Sequence, residues 1–287
     1  LPEEFNTGWY RLHHSDLIAL DDQALIEHWL EHGHTEGRTG NSLQTREDFA
    51  DLAGGNSVLE IGPYFRPLLH GEHVRYADWL DTAGLESRAR SEGVADISVP
   101  EITYVLQDSD LATIEDRFDA VLSSHFLEHQ PDLVQHLRDV ATILNPGGGY
   151  FLLVPDKRYC FDANIAPSTI ADVLAAHEER RTRHTLKSVV EHRALTVHND
   201  PQQHWQGPPV SSEVPLDRVR QALSEYRSSG DGYIDVHAWY FTPDTFASIL
   251  TALHGLGLVR FVVERLYHTR FGSNEFWAVL QVDGHVR

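Results

Sequence analysis

The chain has 287 residues, 43 of them acidic and 23 basic, for a formal net charge of −20, with a single cysteine, Cys160. Such a surface repels nucleic-acid phosphates, and one cysteine leaves neither an internal disulfide framework nor a cysteine-based zinc site. No apolar run reaches the roughly 18 residues of a membrane span, and LPEEFNTGWY lacks a basic-then-apolar export pattern, so the expectation is a soluble, cytoplasmic protein of open oligomeric state.

Residues 1–45 are aromatic and histidine-rich with helical patterning, and end in the glycine-punctuated HGHTEGRTGN, which predicts a small helical module. From 46 onward short apolar runs alternate with helical stretches, the pattern of a parallel sheet covered on both faces. Five strands are expected at Ser57–Ile61, Val74–Ala77, Ile102–Leu106, Phe118–Ser123 and Tyr150–Val154. Leu133, Leu137, Val140, Ala141 and Leu144 fall at helical spacing over 132–144, and Asn145-Pro146-Gly147-Gly148-Gly149 is expected to stop that helix and turn into the fifth strand. Over 156–235 the apolar pattern weakens, apart from one helix over 169–183, and the segment reads as an insertion or lid over a site. Thr242 and Pro243 then open a helix to about Leu253, and 257–266 and 275–282 read as an antiparallel pair. The fold class is therefore α/β: a doubly wound, mostly parallel seven-stranded sheet with an antiparallel last strand, residues 46–287 behind the helical module.

Val58-Leu59-Glu60-Ile61-Gly62 puts an acid and a glycine at the carboxyl end of the first strand, where open α/β sheets bind ligands. Alone this is also what an ordinary strand-to-helix turn looks like. Asp78 then ends the second strand, where a carboxylate can take ribose hydroxyls, and Asp108 follows the third, as an adenine acceptor or a helix cap. The blocks LEIGP, YAD, FDAVLSSHFLEH and LNPGGGYFLLVPD, in this order, resemble class I S-adenosylmethionine-dependent methyltransferases. More narrowly, LEIGPYFRPLL, VPDKRYCFD, HAWYFTP and GSNEFWAVL resemble a bacterial group associated with surface-polysaccharide biosynthesis, and the N-terminal stretch resembles a module that accompanies such enzymes. The resemblance covers about 57–281 and implies S-adenosylmethionine as cofactor. It places Glu60, Gly62, Pro63 and Tyr64 against its methionine part, Asp78 on the ribose, Asp108 on the adenine, and Ser124 beside it. Pro63 stands where many such enzymes carry a second glycine, which stiffens the loop. No G-x-G-x-x-G follows any strand, so a nicotinamide dehydrogenase is disfavoured.

A sugar hydroxyl becomes a useful nucleophile only as its proton is drawn off, and a histidine titrating near neutrality suits that task. His125 is the first candidate base and His129, one turn later, the second, although either can equally buttress the helix start. Asp156, Lys157, Arg158 and Tyr159 follow the fifth strand, where they bind an anionic acceptor group or form a solvated loop; His237, Asn274 and Glu275 complete the substrate-binding candidates, with Trp239 read as core. His192, His198, Asp200 and His204 are too irregularly spaced for a metal site, and none is assigned. The expected function is O-methylation of a sugar, nucleotide sugar or glycan intermediate. The alternatives are methylation of another small metabolite, or a non-catalytic S-adenosylmethionine-binding scaffold in polysaccharide assembly.

Overall fold

The computed structural model describes residues 5–33, 35–94, 97–106, 111–207, 215–230 and 232–284. Two short helices, α1 (Thr7–His13) and α2 (Asp22–His28), are capped by Asn6 and Asp21 and close on their own small core of Tyr10, Leu17, Leu25 and Trp29. Helix α3 (Arg46–Ala50) follows, its start fixed by a reciprocal cap between Thr45 and Asp48, with Phe49 and Ala50 turned inward.

The sheet contains β1 (Val58–Ile61), β2 (Val74–Asp78), β3 (Tyr104–Val105), β4 (Phe118–Ser124), β5 (Leu144–Pro155), β6 (Phe261–Tyr267) and β7 (Glu275–Val282), in spatial order β3-β2-β1-β4-β5-β7-β6. The first five pair in parallel, while β7 runs antiparallel to both β5 and β6 and lies between them. The expected terminal antiparallel pair is present, with its second strand as the interior one. That position explains why β7 is apolar from Phe276 to Leu280 and almost wholly buried. Strand order reverses between β1 and β4, so the crevice outside their carboxyl ends is the topological switch point.

One face of the sheet packs on α5 (Leu133–Ile143) and α10 (Pro243–Gly255) through Leu133, Leu137, Val140, Phe246, Ile249, Leu250 and Leu253. Truncating fully buried Leu137 to alanine is expected to cost about 2–5 kcal/mol. The other face packs on Phe49, Ala50, Ala53 and Leu69. Helix α4 (Thr82–Ser91) follows β2, whereas the link from β1 to β2 contains no helix.

Three expectations change. The Asn-Pro-Gly-Gly-Gly run does not precede the fifth strand but lies inside it. Leu144 already pairs with Phe118, the next partner of β4 is Gly149 opposite Ala120, and the residues between bulge out. Asp119 holds the bulge by accepting from Asn145 Nδ2 at 2.8 Å, and a Cβ on Gly148 would sit 2.9 Å from the Asp119 carbonyl oxygen. Strand β3 is two residues long rather than five. Within 156–235 the expected helix is α6 (Ile170–Glu178), shorter than the reading of 169–183. It is joined by α7 (Leu186–Val190), α8 (Pro201–Gln206) and α9 (Leu216–Ser228).

Candidate active site

A cavity of about 760 Å³ opens at the switch point. Its walls come from the end of β1 (Glu60, Gly62, Pro63, Tyr64), the end of β4 (Ser124, His125), the start of α3 with the residues before it (Gln44, Thr45, Arg46), and the turn into β7 (Arg270 to Glu275); Pro201 of α8 reaches it from the insertion.

Gly62 has φ +68°, and a Cβ there would lie 2.8 Å from the Phe126 ring, so both conformation and space require glycine. Of three non-glycine residues with positive φ among those described, Tyr64 (53°) and His125 (49°) line this cavity. Each such residue costs of order 1 kcal/mol or more and persists only where its surroundings hold it.

Glu60 is buried, and its oxygens accept the backbone amides of Leu68 (2.9 Å) and Leu69 (2.9 Å), which hold the helix-free loop after β1. Burial outweighs those amides and pushes its carboxyl up to about 7. Asp78 is likewise buried and raised by burial; it accepts from the amides of Trp79 (2.7 Å) and Tyr64 (3.3 Å). The Tyr64 ring reaches α4 instead, its hydroxyl donating to Glu92 at 2.6 Å under the Arg88 guanidinium. Asp108 lies outside the described residues.

His125 Nε2 sits 2.7 Å from Glu275 Oε2. Glu275 Oε1 accepts from Arg46 Nε at 3.0 Å and from Trp277 Nε1 at 2.9 Å, and Arg46 also donates to Ser124 Oγ. Since a carboxylate only accepts, the proton of a neutral His125 is on Nε2 and the lone pair on Nδ1. Burial works against the charged imidazole, but the hydrogen bond and charge of Glu275 prevail and hold His125 above its ordinary value of 6.5. Burial also opposes ionisation of Glu275, and His125, Arg46 and Trp277 together hold it below its ordinary 4.5.

The other substrate-binding candidates lie apart from the cavity, save Asn274. Asp156 is fully buried, clasped by Arg158 (2.9 and 2.6 Å) and by the Thr269 hydroxyl (2.6 Å). The buried Lys157 ammonium donates to the Ala163 carbonyl at 3.0 Å, and Tyr159 stacks flat on Trp205 at 3.8 Å. These four read as structural ties at the foot of the insertion. Trp239 is core, donating to the Gln130 carbonyl at 2.6 Å. His129 and His237 meet each other away from the cavity, their ring centroids 4.6 Å apart. His198 stacks on His204 and Asp200 caps α8, so the four-residue set 192, 198, 200 and 204 does not gather; only His192 turns toward His237.

The residues that local reading missed are Arg46, Arg66 and Arg270. They bring three cations to one cavity of a strongly acidic chain. Arg46 and Glu275 are 229 positions apart, and no local pattern announces such a pair.

A family profile described as a methyltransferase domain matches residues 36–256. The chain belongs to the methyltransferase-domain family. The activity is methyl transfer and the donor S-adenosylmethionine. The match begins beyond α1 and α2, and no protein of curated function matches the chain. Similar solved structures include the methyltransferase CcbJ from Streptomyces caelestis (12% identity, 83% of this chain and 88% of that one, TM-score 0.42). Another is an S-adenosylmethionine-dependent methyltransferase from Clostridium acetobutylicum (9% identity, 91% and 98%, TM-score 0.42). The mitomycin 7-O-methyltransferase MmcR is 15% identical with a TM-score of 0.41; the alignment spans 96% of this chain but only 61% of that enzyme.

The methyltransferase donor fits the residues present. Glu60 presents a desolvated carboxylate on the cavity wall that takes only backbone amides and has no side-chain cation hydrogen-bonded to it, which suits an amino-acid ammonium group. Gly62 lets the backbone come close, and Asp78 closes the neighbouring strand end. No helix among the described residues is long and apolar enough to cross a membrane.

Proposed function

We propose that this methyltransferase transfers the methyl group to a hydroxyl of a small acceptor, with His125 as general base. The observation that carries the reading is the His125–Glu275 pair on the cavity wall, at the switch point, with the histidine held at φ 49°. The donor, when bound, supplies an electrophilic methyl group on a sulfonium. His125 Nδ1 accepts the hydroxyl proton as the acceptor oxygen forms its bond to carbon. Glu275 keeps the proton of the other nitrogen in place and stabilises the imidazolium that results. Glu275 is itself held by Arg46 and Trp277, so the imidazole is oriented through two further contacts.

For the acceptor we propose a sugar, nucleotide sugar or glycan intermediate. The sequence resemblance to enzymes of polysaccharide assembly favours it. So does the presence of Arg66 and Arg270 on the wall, since a phosphate- or carboxylate-bearing acceptor needs local cations to approach a chain of net charge −20. Residues 156–235 act as a cover, with Pro201 over the cavity, and 1–45 form the appended module.

The test is methyl transfer from labelled S-adenosylmethionine to nucleotide sugars, neutral sugars and unrelated hydroxylated metabolites, beside S-adenosylhomocysteine binding by calorimetry. The wild type is expected to prefer nucleotide sugars. His125→Ala should lose at least a hundredfold in turnover while keeping its binding. An H125A variant with unchanged turnover overturns the base assignment. A preference for neutral metabolites overturns the acceptor assignment, and a chain that binds the product yet methylates nothing restores the scaffold reading.

A further inference from the structure

Apart from the cavity, the turn after β4 and the stretch leading into α10 bring together a second group of titratable side chains. Glu128 is 1% exposed, and neither carboxylate oxygen has a hydrogen-bond partner among the described residues. Its Oε1 stands 3.8 Å from His129 Nε2 and 3.8 Å from His237 Nε2, too far for hydrogen bonds. His237 Nδ1 is hydrogen-bonded to Asp162 Oδ2 at 2.7 Å, whereas His129 Nδ1 is 2.9 Å from Asp235 Oδ1 as an ion-pair contact without hydrogen-bond geometry.

A carboxylate only accepts, so the outer nitrogen of neutral His237 carries the proton and its inner Nε2 presents a lone pair; the Asp235 carboxylate beside His129 Nδ1 favours the same tautomer there. Three lone-pair-bearing atoms thus converge where Glu128 and His237 are buried and His129 is partly so. Left so, the arrangement costs free energy, since an uncompensated buried carboxylate is among the most expensive groups to desolvate. A cation between them removes that cost. Histidine ligands whose second ring nitrogen donates to a carboxylate are the usual outer architecture of a protein metal site.

We infer that Glu128, His129 and His237 form a binding site for one divalent first-row transition cation, with Asp235 and Asp162 orienting the two histidines. Ligand atoms about 2.1 Å from a tetrahedral ion lie about 3.4 Å apart, and those of the three residues lie within 4.8 Å of one another, so side-chain rotation closes the set. Two imidazoles and one carboxylate suit zinc, nickel or cobalt rather than magnesium or calcium, and three protein ligands leave coordination positions open.

A neighbouring set, Asp162, His192 and His237, also lies within ligand reach of itself, but its chemistry is wrong. His192 Nδ1 accepts the backbone amide of His237 at 3.1 Å, so its proton is on Nε2 and it offers no second lone pair. His237 can serve only one side, and its Nδ1 is already spent on Asp162.

The experiment is titration of the full chain, stripped with a chelator, with Co²⁺ followed by visible ligand-field absorption, and with Zn²⁺ followed by thermal unfolding. One equivalent of Co²⁺ with four- or five-coordinate bands is expected, together with a Zn²⁺-dependent rise in Tm. Glu128→Gln and His237→Asn should each weaken Co²⁺ binding at least a hundredfold, and His192→Asn should leave it unchanged. Asp235→Asn, at a half-exposed position where misfolding is not at issue, should weaken it roughly ten- to hundredfold. Absence of stoichiometric uptake by a chain whose far-ultraviolet circular dichroism is folded overturns the site. So does uptake that survives both E128Q and D235N. Neither result bears on the base assignment of His125.

Discussion

Two buried glutamates on either side of the β4 carboxyl end are treated in opposite ways. Glu275 is surrounded by donors, with His125, Arg46 and Trp277 all bonded to its two oxygens, and it stays ionised although nearly fully buried. Glu128 is as deeply buried and has no hydrogen-bond donor among the described residues. The difference teaches what each region is for. A carboxylate that is already satisfied serves to orient another group, here the imidazole that faces the cavity. A buried carboxylate without a donor is costly, and the cation inferred above would complete it.

The strongest way to break this comparison is at the imidazole itself. His125→Ala should lower kcat by about 10²–10⁴ with little change in S-adenosylhomocysteine affinity, because general-base contributions fall in that range; parallel kinetics and calorimetry check it. Next in size is a pH effect at Glu60. Its folded value of about 7 lies above its ordinary 4.5, so between those two the native state holds a proton that the unfolded state has released. The contribution to stability is therefore fully present below 4.5 and lost as pH rises through 7, up to about 3 kcal/mol. Denaturant unfolding of Glu60→Gln against wild type should show the variant gaining by that amount between pH 4.5 and 8. For the same reason donor affinity should rise as pH passes 7, since a protonated Glu60 does not pair with an ammonium group.

The paired glutamates should then respond with opposite sign. In chelator-treated protein Glu128→Gln is expected to raise stability by about 1–3 kcal/mol, because it removes a buried charge without a partner. Glu275→Gln should lower stability by a similar amount, because it leaves Arg46 and His125 short of an acceptor. Equal signs for the two would erase the distinction. The smallest effect sharpens it: in Glu275→Gln the acidic limb of the kcat/KM profile should move to lower pH, since Glu275 is what holds the His125 value up. A merely structural role would leave that limb in place.

Sequence alone determined the order of the sheet strands, the location of the switch-point motif and the cap at Thr242, and it named His125 and Glu275 as separate candidates. These are local signals: hydrophobic period, capping chemistry and glycine in a turn are written within a few residues of one another. What lay outside local reach was which candidates meet. Asp156, Lys157 and Arg158 follow a strand at the binding edge, as substrate ligands would, yet the fold spends them on internal ties to Thr269 and Ala163. The bulge at 145–148 depends on Asp119 of the neighbouring strand. His129 and His237, 108 positions apart, become partners only when the stretch before α10 crosses the end of β4, and Glu128 between His125 and His129 drew no notice until its burial removed water as a partner. Tertiary structure alone decided these, because the energy of a charged side chain is set by the groups and solvent around it, and sequence neighbours supply few of them.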